Sequence, residues 1–337
     1  MAGKVVDVTL RFVDKFTSDL DKATSRIERQ SKQIKKFGKS MEKTGKDITK
    51  TGKNMTKYIT APVVAAGAAS LKAGIQFEDS FAGVKKTVDA TDKQLATLKK
   101  GIIDMSKEIP ASTDAISGVA EAAGQLGIET DNILGFTRVM IDLGNSTNIS
   151  AEDAASSLAK FANVTGMSQK DFDKLGSTIV DLGNNFATTE SDIVNMATRL
   201  AGTGSQIGLS EGDIMGISTA LSSVGIEAEM GGSAFSKLMG SMQLAVETNS
   251  KDLNGFAKVA GMTGKEFSKA FKDDAGGAIT EFIKGLGDTE KNGESAVKVL
   301  DDMGIKEVRL RDTLLRASGA SGVFSDAIKT GNQAWKE

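Results

Sequence analysis

The chain has 337 residues with no cysteine and no histidine, which excludes disulfides, cysteine nucleophiles, Cys/His zinc sites and every Ser-His-Asp arrangement. Two prolines against 37 glycines, with 5% aromatics, leave a core of Ala, Leu, Ile, Val, Met and Phe and favour helix over sheet. The formal net charge is −2, yet residues 1–60 carry 15 Lys+Arg against 7 Asp+Glu, a net of +8, so the remainder is acidic. That asymmetry predicts two parts with different work.

In chain order, Val6, Val8, Leu10 and Phe12 alternate with polar residues, the pattern of a half-buried strand. A lone strand is unstable, so residues 1–17 should form a short strand that pairs with something else. Leu20, Ile27, Ile34, Met41, Ile48 and Met55 then recur every seventh residue, and the positions four further on are mostly small: Thr24, Ser31, Gly38, Gly45, Gly52 and Ile59. This predicts a long heptad-repeat helix, a basic coiled-coil arm over 18–60. Each interior glycine costs about 0.5–1 kcal/mol relative to alanine, so the arm should need a partner, and the seam is read as holding a homo-oligomer, a trimer or higher. Residues 18–59 carry 12 Lys+Arg and 5 Asp+Glu, enough for weak, non-specific DNA contact. Phe37 and Tyr58 alone make no stacking platform.

Thr60 is placed to cap a new helix with Pro62 in its first turn, so a hinge is expected there. The most apolar run, Tyr58 to Leu71, contains Pro62 and Gly67 and ends at Lys72. It is shorter than the roughly 18 apolar residues of a span, which leaves transient membrane contact at most. No secretory leader is visible, and the chain is expected in the cytoplasm. Residues 61–110 read as linking helices. Phe77, Phe81, Val84 and Val88 share one face, Thr91 with Gln94 forms a capping box, Leu95, Leu98, Ile102 and Met105 follow at helical spacing, and Pro110 closes the helix.

Residues 111–330 read as a core of stacked helical hairpins. Gly166-Met167-Ser168 precedes Asp171-Phe172, Gly208-Leu209-Ser210 precedes Asp213-Ile214, and Gly261-Met262-Thr263 precedes Glu266-Phe267; Gly127-Ile128-Glu129-Thr130 is a looser version. Glycine in the left-handed position stops one helix, the next apolar residue packs back, and the hydroxyl caps the next helix. Aspartate is shorter than Glu or Gln, so the first two are near-boxes. Asp142-Leu143-Gly144-Asn145 recurs as Asp181-Leu182-Gly183-Asn184, and Ser150 with Asp153 recurs as Thr189 with Asp192, both 39 residues later. A period near 40 means one helical hairpin per repeat. Leu158/Phe161/Ala162, Leu175/Ile179/Leu182 and Ile193/Met196/Leu200 are the core faces.

Chemistry is sparse. Glu121 among alanines is a candidate acid/base group, but a helix-edge glutamate is the simpler reading. Gly202-Thr203-Gly204 lacks the Lys-Ser/Thr of a phosphate loop, and Asp273-Asp274 and Asp301-Asp302 lack a calcium loop. No catalytic, cofactor-binding or metal residues are assigned, and the chain is not read as an enzyme.

The order of these words resembles phage tail tape-measure proteins, specifically the core domain of siphophages of Gram-positive hosts. The resemblance is carried by Gly52-Lys53-Asn54-Met55-Thr56, Thr60-Ala61-Pro62, Phe77-Glu78-Asp79-Ser80-Phe81, Ile149 to Ala155 with Leu158 to Ala162, Ser191-Asp192-Ile193-Val194, and Gly225-Ile226 followed by Gly231-Gly232-Ser233-Ala234-Phe235. The family usually has Ala-Gly-Thr at this last site, which puts the local turn in question. It covers roughly residues 40–330. It implies a structural protein that sets tail length and scaffolds tube assembly in the host cytoplasm, occupies the virion tail lumen, and leaves ahead of the DNA. It also implies tail-tube protein and tail assembly chaperones as partners. Such proteins usually continue beyond a point like Gly331 to Glu337, so 331–337 is read as the start of a truncated continuation. The alternative is a membrane-active helical translocator or pore-former.

Overall fold

The computed structural model describes residues 64–289 and 294–336. The strand expected over 1–17, the heptad arm over 18–60 and the hinge at Thr60 and Pro62 lie outside the described residues. The chain divides into two units, Met1–Ile75 and Gln76–Glu337. In the first, the described residues 64–75 are helical, the opening turns of α1 (Val64–Thr87). The second holds all the rest.

Every regular element among the described residues is helical, in keeping with the all-α expectation. After α1 come α2 (Asp92–Glu108), α3 (Thr113–Gln125), α4 (Ile133–Ser146), α5 (Ala151–Thr165), α6 (Phe172–Asn185), α7 (Glu190–Gln206) and α8 (Glu211–Ser223). Then follow α9 (Ser233–Thr248), α10 (Lys251–Val259), α11 (Gly264–Asp273), α12 (Ala275–Asp288), α13 (Ala296–Asp302), α14 (Val308–Gly319) and α15 (Ser321–Lys336). The break drawn at 330 in the sequence falls inside α15.

The first six helices after α1 pair as three hairpins, α2/α3, α4/α5 and α6/α7, each closed by a short extended loop. The loops share one chemistry. Ile109, Thr147 and Phe186 end the first helix in extended backbone, and Ser112, Ser150 and Thr189 cap the second. Pro110 forces the first of these exits, because the residue before proline is driven out of the helical region. Consecutive hairpins stack in two layers. In one, α2 lies on α4 and α4 on α6; in the other, α3 lies on α5 and α5 on α7. Thr91 and Gln94 make a full capping box at α2, the hydroxyl accepting from the Gln94 N–H at 3.3 Å and Gln94 Oε1 accepting from the Thr91 N–H at 3.1 Å.

The repeat period is written into the hydrogen bonds between hairpins. The Gln169 side chain accepts from the Glu129 N–H at 2.8 Å and donates to the Gly127 carbonyl at 3.2 Å. Asn148 Oδ1 accepts from the Ser191 N–H at 3.1 Å, and Ser205 Oγ donates to the Thr165 carbonyl at 3.3 Å. These partners are 40–43 residues apart.

A fourth stacking position is filled discontinuously. α8 lies on α7 in one layer, α15 lies on α6 in the other, and α8 and α15 form the most extensive helix pair. Residues 224–320 leave the stack after α8 and return at α15. This excursion holds α9–α14 with a core of its own: Phe256 lies 5.6 Å edge-on from Phe282 and 6.4 Å from Phe267. The expected core faces are buried: Phe81, Ile102, Leu158, Phe161, Leu175, Ile179, Leu182, Ile193, Met196 and Leu200. Each such side chain is worth about 1.5–3 kcal/mol of burial.

Candidate functional site

The seam residues Leu20, Ile27, Ile34, Met41, Ile48 and Met55 carry no described geometry, so the functional surfaces are read from the second unit.

The helix joints come first, because they set the stack. Gly166, Gly208 and Gly261 have φ of +76°, +83° and +69°. Gly127, Gly225 and Gly304 have φ of +83°, +73° and +76°. After each glycine an apolar residue donates its N–H five residues back: Ile128 to Ala123, Met167 to Ala162, Leu209 to Gly204, Ile226 to Leu221, Met262 to Ala257 and Ile305 to Leu300, all at 2.8–3.2 Å. This satisfies end carbonyls that would otherwise face the core. Met303-Gly304-Ile305 repeats the apolar-Gly-apolar signal of Leu126-Gly127-Ile128, the sequence trace of this further joint.

The caps that follow the joints differ. Ser210 and Thr263 close full boxes, with Asp213 and Glu266 accepting the cap N–H at 3.0 and 2.8 Å. At Ser210 the aspartate therefore reaches, despite its shorter side chain. That backbone bond and the Thr263 hydroxyl hold the Glu266 carboxyl below its ordinary range. Ser168 instead caps a short 3₁₀ turn at Gln169–Asp171, which places Asp171 outside the α-helix and leaves it unable to close a box. Exposed pairs do similar work: Lys107 lowers the Asp104 carboxyl, and Glu108 raises the Arg138 guanidinium.

Asp213, 8% exposed, is the one buried charged residue among the described residues. Its carboxylate accepts from the Ser210 N–H at 3.0 Å, the Ser210 hydroxyl at 2.7 Å and Asn332 Nδ2 at 2.7 Å. Gly276 in the first turn of α12 presses on the same group, and a Cβ there would stand 2.8 Å from Asp213 Oδ1. Asp213 thus sits where the starts of α8 and α12 meet α15. Donors and helix N-termini offset its burial.

A groove of about 1380 Å³ lies wholly within the excursion, walled by α9, α10, α12, α13 and the start of α14. Lysines and carboxylates alternate along it, among them Lys237, which pairs with Glu307, and Lys284, which pairs with Glu281. Exposed Met230, Leu244, Val297 and Val308 also belong to the excursion.

Glu121 packs its carboxylate against Gly83 of α1 and accepts from Gln125. Gly202-Thr203-Gly204 lies inside α7, where no loop can wrap a phosphate. Asp301 pairs with Arg311, and Asp274 caps α12 by accepting from the Gly277 N–H at 2.8 Å. Among the described residues no three His, Cys, Asp or Glu side chains group to hold a metal, and no helix is long and apolar enough to cross a membrane. The Gly231-Gly232 site forms a π-turn at Ala228–Gly232, where Gly231 presses on Ile226 and Gly232 on Met196 and Arg199.

A family model described as "Phage-related minor tail protein" matches residues 99–336, which is nearly the whole stack and excursion. No curated protein and no solved structure matches the chain.

Proposed function

The chain belongs to the phage-related minor tail protein family, and from that premise we propose that it is a tail tape-measure protein of a siphophage. In this reading it sets tail length and scaffolds tube assembly, rests in the virion tail lumen, and leaves ahead of the DNA. The observation that carries it is one chain joining an unbroken heptad arm to a stacked-hairpin unit that matches a tail family. An α-helix rises 1.5 Å per residue, so a helical chain converts residue number into length.

The arm is the self-association element, with the Leu20 to Met55 seam holding a trimer or larger homo-oligomer. The tail-tube protein polymerises around the chain, and tail assembly chaperones attend it in the host cytoplasm. The basic arm gives weak contact with DNA. The work is structural rather than enzymatic. The membrane-active alternative has no long apolar helix among the described residues in its favour.

Removing the coding segment from the parent phage tests this. Electron microscopy should show tails absent or scattered in length. Tails of normal, uniform length would refute it.

A further inference from the structure

We propose that α15 closes on α8 as a clasp and that α15 lifts away as a discrete step before α5 and α7 open. The proposal rests on the geometry of this unit and not on the length-setting reading.

Three observations carry it. The first is topology. α8 and α15 meet across a separation of 119–122 residues, seen in the Asn332 contacts to Asp213 and Ser210. The hairpins close over about 40 residues or fewer. Loop-closure cost grows with the chain enclosed, so docking α15 on α8 and α6 is the most expensive closure in the unit.

The second is the interface itself, which is backbone on backbone. A Cβ at Gly216 would lie 2.5 Å from Ile328 Cα and 2.7 Å from the Ala327 carbonyl. One at Gly212 would lie 3.0 Å from Asn332 Cα, and one at Gly331 would lie 2.6 Å from the Gly212 carbonyl. Such a fit has no intermediate settings. A small slide of α15 drives a side chain into the α8 backbone, so the pair is either seated or released.

The third is the modest apolar stake. α15 buries Phe324, Ala327, Ile328 and Gly331, whereas α7 buries Ile193, Val194, Met196, Ala197, Leu200, Ala201 and Gly204. The Ser210–Asp213–Asn332 hydrogen bonds complete the clasp, and water can replace them once α15 lifts. Local stability follows buried apolar contact, so α15 should open before α7 and before α8, which buries every residue from Gly212 to Leu221.

Native-state hydrogen exchange on the full chain tests the clasp with two variants. The chain has no cysteine, so the pair S210C/N332C gives one defined bridge where the Ser210 and Asn332 side chains lie 3.0 Å apart. In the unmodified protein, α15 amides should exchange together and faster than those of α5 and α7. Oxidising S210C/N332C should slow α15 about tenfold or more relative to its reduced form, leaving α5 and α7 unchanged. Gly216→Val should deprotect α15 and spare α5 and α7. Exchange of α15 at the α7 rate in the unmodified protein would overturn the proposal. So would equal slowing of α7 on oxidation, or loss of α5 and α7 protection in Gly216→Val.

Discussion

Thr137 and Thr178 are fully buried in the α4/α6 layer with hydroxyls that meet no hydrogen-bond partner, and Ser117 in α3 does the same. Such a group carries an uncompensated desolvation cost of about 1–3 kcal/mol. Thr178→Val keeps the shape and removes the hydroxyl, so it should raise the urea unfolding free energy by about 1 kcal/mol. Unchanged or lower stability would mean the hydroxyl is satisfied. The same residues lie inside the stack that the sequence periodicity marked as core. Periodicity reports which positions face inward; it does not report whether a buried hydroxyl finds an acceptor, because that depends on where the neighbouring helix stands.

At the scale of elements, the joints carry the stack. Gly208 has φ of +83° with open space around its missing side chain, so any cost of adding a methyl is conformational. Gly208→Ala should lose about 1–2 kcal/mol. Gly118→Ala, at a helical position with equally open surroundings, should gain about 0.5–1 kcal/mol. Thermal or urea unfolding of the two variants compares them directly, and equal effects would contradict the left-handed reading. The joints were legible because their determinants are local: a glycine, the apolar residue after it, and a hydroxyl within a few positions. The 39-residue recurrence was legible for the same reason, and the hairpins bond at nearly that spacing, 40–43 residues. The 3₁₀ turn at Gln169–Asp171 was not; its Gln169 side chain reaches the previous hairpin at Glu129 and Gly127, a contact that only the stacking creates. The α8–α15 closure was not legible either. Its only trace is Gly212 and Gly216 one turn apart, and nothing local ties them to Gly331.

At the scale of the whole molecule, the second unit is a two-layer stack of hairpins with an excursion inserted at its fourth position. The first unit contains the heptad sequence. The family match covers the stack and the excursion, while the length-setting proposal draws on the arm as well.

The most direct test of the length-setting claim duplicates residues 28–55, four heptads in register, in the parent phage, with tail length read by electron microscopy. If the arm is part of the measured length, tails should lengthen by about 42 Å, from 1.5 Å of rise per inserted residue. Uniform tails of unchanged length would contradict it.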